Sequence, residues 1–536
     1  MNGVIAAGDP QTAQAGADIL AQGGNAVDAA VGAAFVSFIS EVAMVNLGGS
    51  GLAHIFDPHT GQSHVYDFFS TMPGLGREIP LAPSQLDFQK VTVDFGATTQ
   101  DFYVGRGSVA VPGNVFGLCQ MVADHGRLPL AQVLAPAMKL AEEGVHLTEY
   151  QAVTLKLLRP IFMNTAEMRE VFGRGDDLLS HEDRLLIPDL ADTLQLIAHK
   201  GADTLRAGRL AEALVADQEA NGGLLTAVDL AQYQVLQHTP IHLPYRGYDV
   251  YLPRPCSIGG VLTAFTLKLL SHFNVRAYGH QTPDYLQLFT EAMSATTRAR
   301  RHWDMAHRYL TMPEAVSAFL HDEFVNDFAA ETAAALWKGR PSQMFDERES
   351  HPDTSHLSVI DSEGMAVGLT TSAGESAGYI VPGTGFVPNN MLGEEDLHPQ
   401  GFHNMPAGQR INTMMAPVIV LKDGKIKLVV GSGGSIRIRS AILQVISNVL
   451  DFDMPLDEAV SAPRIHLENK VLQCEAGVNP QAVDELESLG YWVNRWPSRS
   501  LYFGGAHSVG VSAEGEVQGV GDDRRSGSVK TVLSDE

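Results

Sequence analysis

Residues His351–Tyr379 read HPDTSHLSVIDSEGMAVGLTTSAGESAGY, and the reading of this stretch decides the fold. Thr354, Ser355, His356 and Ser358 crowd the opening of a predicted β-hairpin well inside the chain. Threonine is a good strand former, so an ordinary strand start accounts for part of the pattern. The other reading is chemical. A threonine hydroxyl is a weak nucleophile without a neighbouring base, and the α-amine of the same residue, with an ordinary pKa of about 7.7 to 8.0, is one such base. Thr354 gains that amine if the Asp353–Thr354 bond is cut, and its own Oγ can do this by attacking the Asp353 carbonyl and passing through an ester. On the pattern TSHLSVID alone, both readings stay open.

Outward from the hairpin, the texture is mixed. On the N-terminal side, DPQTAQAGADILAQGGNAVDAAVGAAFVSF predicts two helices, with Asp9 and Asn25 as caps, Pro10 in the first turn, and Gly23 and Gly24 at the break. NLGGSGLAHIFDPHTGQSHVYDFF alternates as a half-buried hairpin does, residues 114–233 are mostly helical, and a strand pair surrounds YRGYDVYLPRP. On the C-terminal side GYIVP, PVIVL and KLVVGS read as further strands, followed by the long helix SIRIRSAILQVISNVLDF. The polar segment around Phe345 to Asp353 is the one expected exposed interruption, and no linker or repeat divides the chain. Strands flanked by helices at both ends predict two sheets packed face to face with helices outside, an α/β sandwich of layers.

With 536 residues and 45% apolar side chains the chain can bury a large core, and its net charge of -25 argues against nucleic acid or anionic membrane as partners. A small molecule or peptide fits better. Cys119, Cys256 and Cys474 are an odd, scattered set, which points to a reducing compartment. The N-terminal stretch has no basic and apolar leader pattern, so the expected location is cytoplasmic, with periplasmic or secreted as the alternative if a signal peptide has been removed.

Four other constellations invite chemistry. Gly374–Gly378, GESAG, matches the serine elbow G-x-S-x-G at Ser376, but Pro382, Gly383, Gly385 and Pro388 deny it the helix that must follow. VVGSGGSIRIRSAIL sets Gly431, Gly433 and Gly434 between a strand and a helix; this is either a tight turn or an oxyanion hole of backbone N–H groups. The histidines, His302 and His307 included, lack metal-ligand spacing, and no metal or other cofactor is expected. Cys256 has no visible base and reads as an inert buried thiol.

DTSHLSVIDSEGMAVGLT resembles the processing site of the γ-glutamyltransferase family, the glutathione hydrolases, and the likeness extends along the chain through GGNAVDAAVGAAF, NLGGSGLAHIFD, SVAVPGNVFGL, LPLAQVLAPAMKLAEEGV, GGLLTAVDLAQYQV, GSGGSIRI and DEAVSAPRIH in the family's order. The resemblance implies an N-terminal nucleophile hydrolase with an αββα four-layer sandwich, cut between Asp353 and Thr354 into a large subunit 1–353 and a small subunit 354–536. These form a heterodimer of the protein's own cleavage products, with further dimerisation left open.

By the same resemblance Thr354 is the nucleophile, Ser372 is the second hydroxyl beside it, and Gly433 and Gly434 form the oxyanion hole. Asn390, with Glu394 or Glu395, stands where the family binds the substrate α-amino group, and Asn412 and Thr413 stand at the α-carboxylate. The default substrate is then glutathione or another γ-glutamyl compound. Phe69, however, replaces the arginine of the family's D-x-R-E motif, which clamps the α-carboxylate. An acyl group other than γ-glutamyl, as in cephalosporin-acylase-like members, is the alternative, and a non-catalytic homologue is the third reading. Arg77 is the nearest cation in sequence that could substitute.

Overall fold

Two antiparallel sheets pack face to face, and each is built from both sides of position 354. The computed structural model describes residues 3–78, 81–94, 99–306, 310–342, 344, 354–398 and 400–533. In chain order the strands of these sheets are β1 (Gly3–Ala7), β2 (Ser50–Asp57), β3 (Gln62–Phe68), β4 (Leu236–His238), β5 (Ile241–Tyr245), β6 (Tyr248–Leu252), β7 (Ser355–Asp361), β8 (Ala366–Ser372), β9 (Val418–Lys422), β10 (Lys425–Val430), β11 (Ser508–Val511), β12 (Val517–Val520) and β13 (Ser528–Val532). The first sheet runs β4-β3-β2-β8-β7-β1-β13 and the second β5-β6-β9-β10-β11-β12.

Apolar alternation sends one face of each sheet inward. Val4, Ala6, Phe56, Ile360 and Ala366 of the first sheet meet Ile419, Leu421, Ile426, Val429 and Val509 of the second in one inter-sheet core. Helices cover the outer faces. On the first sheet lie α1 (Pro10–Ala21), α2 (Ala26–Ser40) and α3 (Asn114–His125); on the second lie α4 (Ile258–Leu270), α5 (Pro283–Ala306), α6 (Asp322–Lys338) and α7 (Ile438–Leu450). This is the αββα order expected from the sequence.

Local chemistry sets the helix ends. The Asp9 carboxylate accepts from the Gln11 N–H at 2.8 Å, and Asn25 and Asp28 form a reciprocal capping box at the start of α2. Every residue of α2 is buried, which explains its all-round apolar sequence. It lies so close to α1 that a Cβ at Gly32 would stand 2.0 Å from the Ile19 side chain.

GYIVP is not a strand. Val381 and Phe386 instead bracket a tight loop in which Gly383 and Gly385 take left-handed φ of 69° and 63°, and the Pro382 ring cannot donate to a ladder. The helix read from Ser435 begins as a short 3-10 turn, Ser435–Arg437, before α7. The segment 345–353 lies outside the described residues, as does His307. Among the described residues no helix is long and apolar enough to cross a membrane.

Candidate active site

The register of the β7–β8 hairpin creates the site. Ser355 pairs with Thr371 and His356 with Thr370, so one step further brings Thr354 opposite Ser372. Both line a cavity of about 30 Å³, room for about two water molecules in the uncut chain. Its apolar wall is Phe69, Met391, Leu397, Met414, Met415 and Ile438. The polar wall adds Glu394, Asp396, Thr413 and Ser435, whose hydroxyl donates to Asp396 Oδ2 at 3.1 Å.

The glycine turn after β10 closes against the nucleophile candidate. A Cβ on Gly433 would sit 1.9 Å from the Thr354 carbonyl oxygen, and Gly434 has φ 112°, so this approach requires glycine. Arg525 is buried behind the turn and donates Nη1 to the Thr354 carbonyl at 3.3 Å. The residue before Thr354, Asp353, lies outside the described residues.

The remaining hydroxyls of the opening stretch have structural partners. His356 bonds Thr370 Oγ1 through Nδ1 at 2.8 Å and Ser358 Oγ through Nε2 at 2.9 Å, and Ser358 donates at 3.0 Å to the carbonyl of His507, the residue just before β11 of the second sheet. Burial, and then His507 nearby, holds the His356 imidazole well below its ordinary pKa, so it is neutral. A Cβ on Gly431 would strike that ring at 2.3 Å. Ser355 donates to Glu41 of the α2 terminus at 2.7 Å. Glu41 is pushed up to about 8, by burial first and by the Asp9 carboxylate second. The strand that carries Thr354 is thus latched to the opposite sheet and to a helix end.

The other candidates separate by position. Glu394 is buried and lines the cavity, whereas Glu395 is exposed outside it. Thr413 lines the cavity, held by Cys256 and the first turn of α4, while Asn412 is exposed. Asn390 is fully buried but lies behind the wall: its Oδ1 accepts from the Glu375 N–H at 2.7 Å and its Nδ2 donates to the Tyr103 carbonyl at 3.3 Å.

Phe69 lines the cavity, clustered with Met391 and Met415, and no Arg or Lys lies in the lining among the described residues. Arg77 points elsewhere, donating to the carbonyls of Gly223 and Leu224. Ser376 is fully buried with no helix behind it, and burial raises the Cys256 thiol well above its ordinary range. Glu41 and Arg525 carried no signal in the sequence, because each reaches the site from a remote segment, whereas Asp396 is a neighbour of the Glu394–Glu395 pair that no motif singles out.

An acylase ACY 1 proenzyme of Pseudomonas sp. (strain V22) is 32% identical over 527 residues, 96% of this chain and 91% of the relative. A glutathione hydrolase proenzyme of Escherichia coli (strain K12) is 30% identical over 546 residues, covering 97% and 90%. Among solved structures, a cephalosporin acylase from Bacillus halodurans superposes over 100% of this chain and 96% of its own, with a TM-score of 0.83 at 25% identity. The gamma-glutamyltranspeptidase family model matches residues 12–532, and the chain belongs to that family of enzymes with the N-terminal nucleophile hydrolase fold.

Proposed function

We propose that the protein is a self-processing amide hydrolase that takes an acyl group other than γ-glutamyl. Thr354 Oγ attacks the Asp353 carbonyl; an ester forms as the peptide bond breaks, and water then releases residues 1–353 from 354–536. In turnover the freed α-amine takes the Thr354 hydroxyl proton as Oγ attacks the substrate carbonyl, then passes it to the departing amine. The Gly433–Gly434 turn stabilises the oxyanion, and water or an acceptor amine takes the acyl group from the ester.

One observation carries the substrate reading. The cavity wall at Phe69 is apolar and the described lining contains no cation, so a γ-glutamyl α-carboxylate would be desolvated without a partner. The acylase names among the relatives support the same choice. The γ-glutamyl reading rests on the glutathione hydrolase relatives and on Glu394, a carboxylate placed to receive an ammonium group. The deciding experiment compares hydrolysis of γ-glutamyl p-nitroanilide with its decarboxylated analogue, 4-aminobutanoyl p-nitroanilide. Equal rates support the proposal, and a strong preference for the carboxylate-bearing compound overturns it. Cys119, Cys256 and Cys474 are free and buried, which supports a reducing compartment.

A further inference from the structure

Arg525 has no role in the chemistry described so far, yet its guanidinium touches the backbone of the nucleophile residue. It is 2% exposed and donates Nη1 to the Thr354 carbonyl at 3.3 Å. The same group lies 3.2 to 3.3 Å from where Cβ atoms would stand on Gly433 and Gly434, so it backs the oxyanion turn as well. Its own position is fixed. Nε donates to the Leu501 carbonyl, and the neighbouring Arg524 is locked by Glu475 and Asp522.

We propose that Arg525 is the positioning residue for the N-terminal amine of Thr354: its guanidinium fixes the carbonyl of that residue and, by its charge, keeps the amine free to take the hydroxyl proton. This rests on the reading of Thr354 as the processed nucleophile. The amine nitrogen is three bonds from the carbonyl oxygen that Arg525 holds. A like charge at that range in a buried site disfavours the ammonium form, and such a base serves only while unprotonated.

The other charged groups around Thr354 leave Arg525 dominant on the backbone side. Asp522 is spent on Arg464 at 2.7 Å and Arg524 at 3.1 Å. Burial holds His507 down at about 4, so it adds no charge at neutral pH. Glu41, beneath Ser355, is pushed up to about 8 and retains a proton at neutral pH, while Asp9 behind it, raised by burial to about 6, is ionised there and opposes Arg525 from further away. Arg437, on the turn after Gly434, adds a second positive charge near the same backbone. Glu394 and Asp396 oppose this effect from the cavity side, where Glu394 lies against Gly374 and Asp396 accepts from Ser435.

The test reads the amine directly and needs no substrate. The processed protein receives a trace pulse of acetic anhydride at a series of pH values, and mass spectrometry follows acetylation of the peptide that begins at Thr354. The midpoint should fall below the ordinary α-amine range, about 7.7 to 8.0, rise by about one unit in Arg525→Met, and stay near the natural value in Arg525→Lys. A natural midpoint inside or above that range, or one unmoved in Arg525→Met, overturns the proposal while leaving Thr354 as nucleophile. If Arg525→Met does not mature, the natural midpoint alone decides. Absence of any fragment beginning at Thr354 in the natural protein removes both readings.

Discussion

Asp67, which is buried, and Arg410, which is partly exposed, form an ion pair, Oδ1 to Nε 3.5 Å, directly behind the backbone of Phe69. Arg410 also donates to the Phe69 carbonyl and to the Tyr233 hydroxyl, and Asp67 accepts from the Phe69 N–H at 2.9 Å. Of the D-x-R-E pattern, Asp67 is therefore kept and paired with an arginine from elsewhere in the chain, while Phe69 and Ser70 stand at its Arg and Glu positions. Phe69→Arg should put a cation into the cavity and raise kcat/KM for γ-glutamyl p-nitroanilide, relative to its decarboxylated analogue, by roughly ten-fold to a hundred-fold, as one charged hydrogen bond of ~1.5 to 3 kcal/mol implies. An unchanged ratio would show that position 69 does not set carboxylate preference.

Thr354→Ala removes the attacking atom and should leave one uncut chain with no turnover. A denaturing gel and mass spectrometry read this directly. A cut at the same bond in that variant would assign the chemistry elsewhere.

Ser372 shares the cavity with Thr354, and its Oγ accepts from the Gly374 N–H at 3.0 Å. Ser372→Ala should slow processing or turnover by at least about ten-fold, while Ser372→Thr should retain most of the rate, since the hydroxyl is kept. Unaltered kinetics in the alanine variant would remove Ser372 from the machinery.

Gly433→Ala drives a methyl group to 1.9 Å from the Thr354 carbonyl, a distance no relaxation of the turn absorbs without moving the nucleophile. Processing should fall by about a hundred-fold or more, as expected for the loss of an oxyanion donor. A time course of fragment appearance measures it, and a natural rate would place the oxyanion elsewhere.

Glu41 governs stability on the alkaline side. Its ordinary value is 4.5 and its folded value is about 8, so the folded chain holds a proton there that the unfolded chain releases. That contribution is fully present at low pH and is lost as pH rises through the folded value. Between about pH 7 and about pH 9 the protein should lose about 1 kcal/mol from this group, and Glu41→Gln should remove that part of the slope. The buried thiols of Cys119, Cys256 and Cys474, held above their ordinary range, add losses of their own toward the top of this window as the unfolded thiols ionise, but these are common to both proteins and cancel in the comparison. Urea midpoints at the two pH values check this; parallel losses in both proteins would contradict it.

The layers were readable because two periods recur, 2.0 in stretches such as SHLSVID and 3.6 in the helices, and Asp9 and Asn25 announced their caps. GYIVP misled because its apolar run ignores what Pro382 and two left-handed glycines do to a ladder. In the site, Thr354 was legible at the head of the hairpin and Ser372 only through the family resemblance, whereas Glu394 and Glu395 are adjacent in sequence and differ in that Glu394 lines the cavity and Glu395 does not. Arg525 and Glu41 could not be found by pattern: they lie 171 and 314 positions from the residues they hold, and distance in space has no trace in local composition.

The placement of β1 between β7 and β13 would set the fate of the two proposed products. Gly3–Ala7 bonds on one edge to Ser355–Asp361 and on the other to Ser528–Val532, both downstream of the cut, while β8 bonds in turn to β2 upstream. In the second sheet β6 of the upstream piece bonds to β9 of the downstream piece. Scission before Thr354 would therefore sever one covalent link and leave the pieces interdigitated strand by strand. Pulling them apart would tear ladders on both edges of β1 at once, so they should part only on denaturation, and mixing separately made halves would require β1 to find a slot that does not exist until its neighbours have already formed.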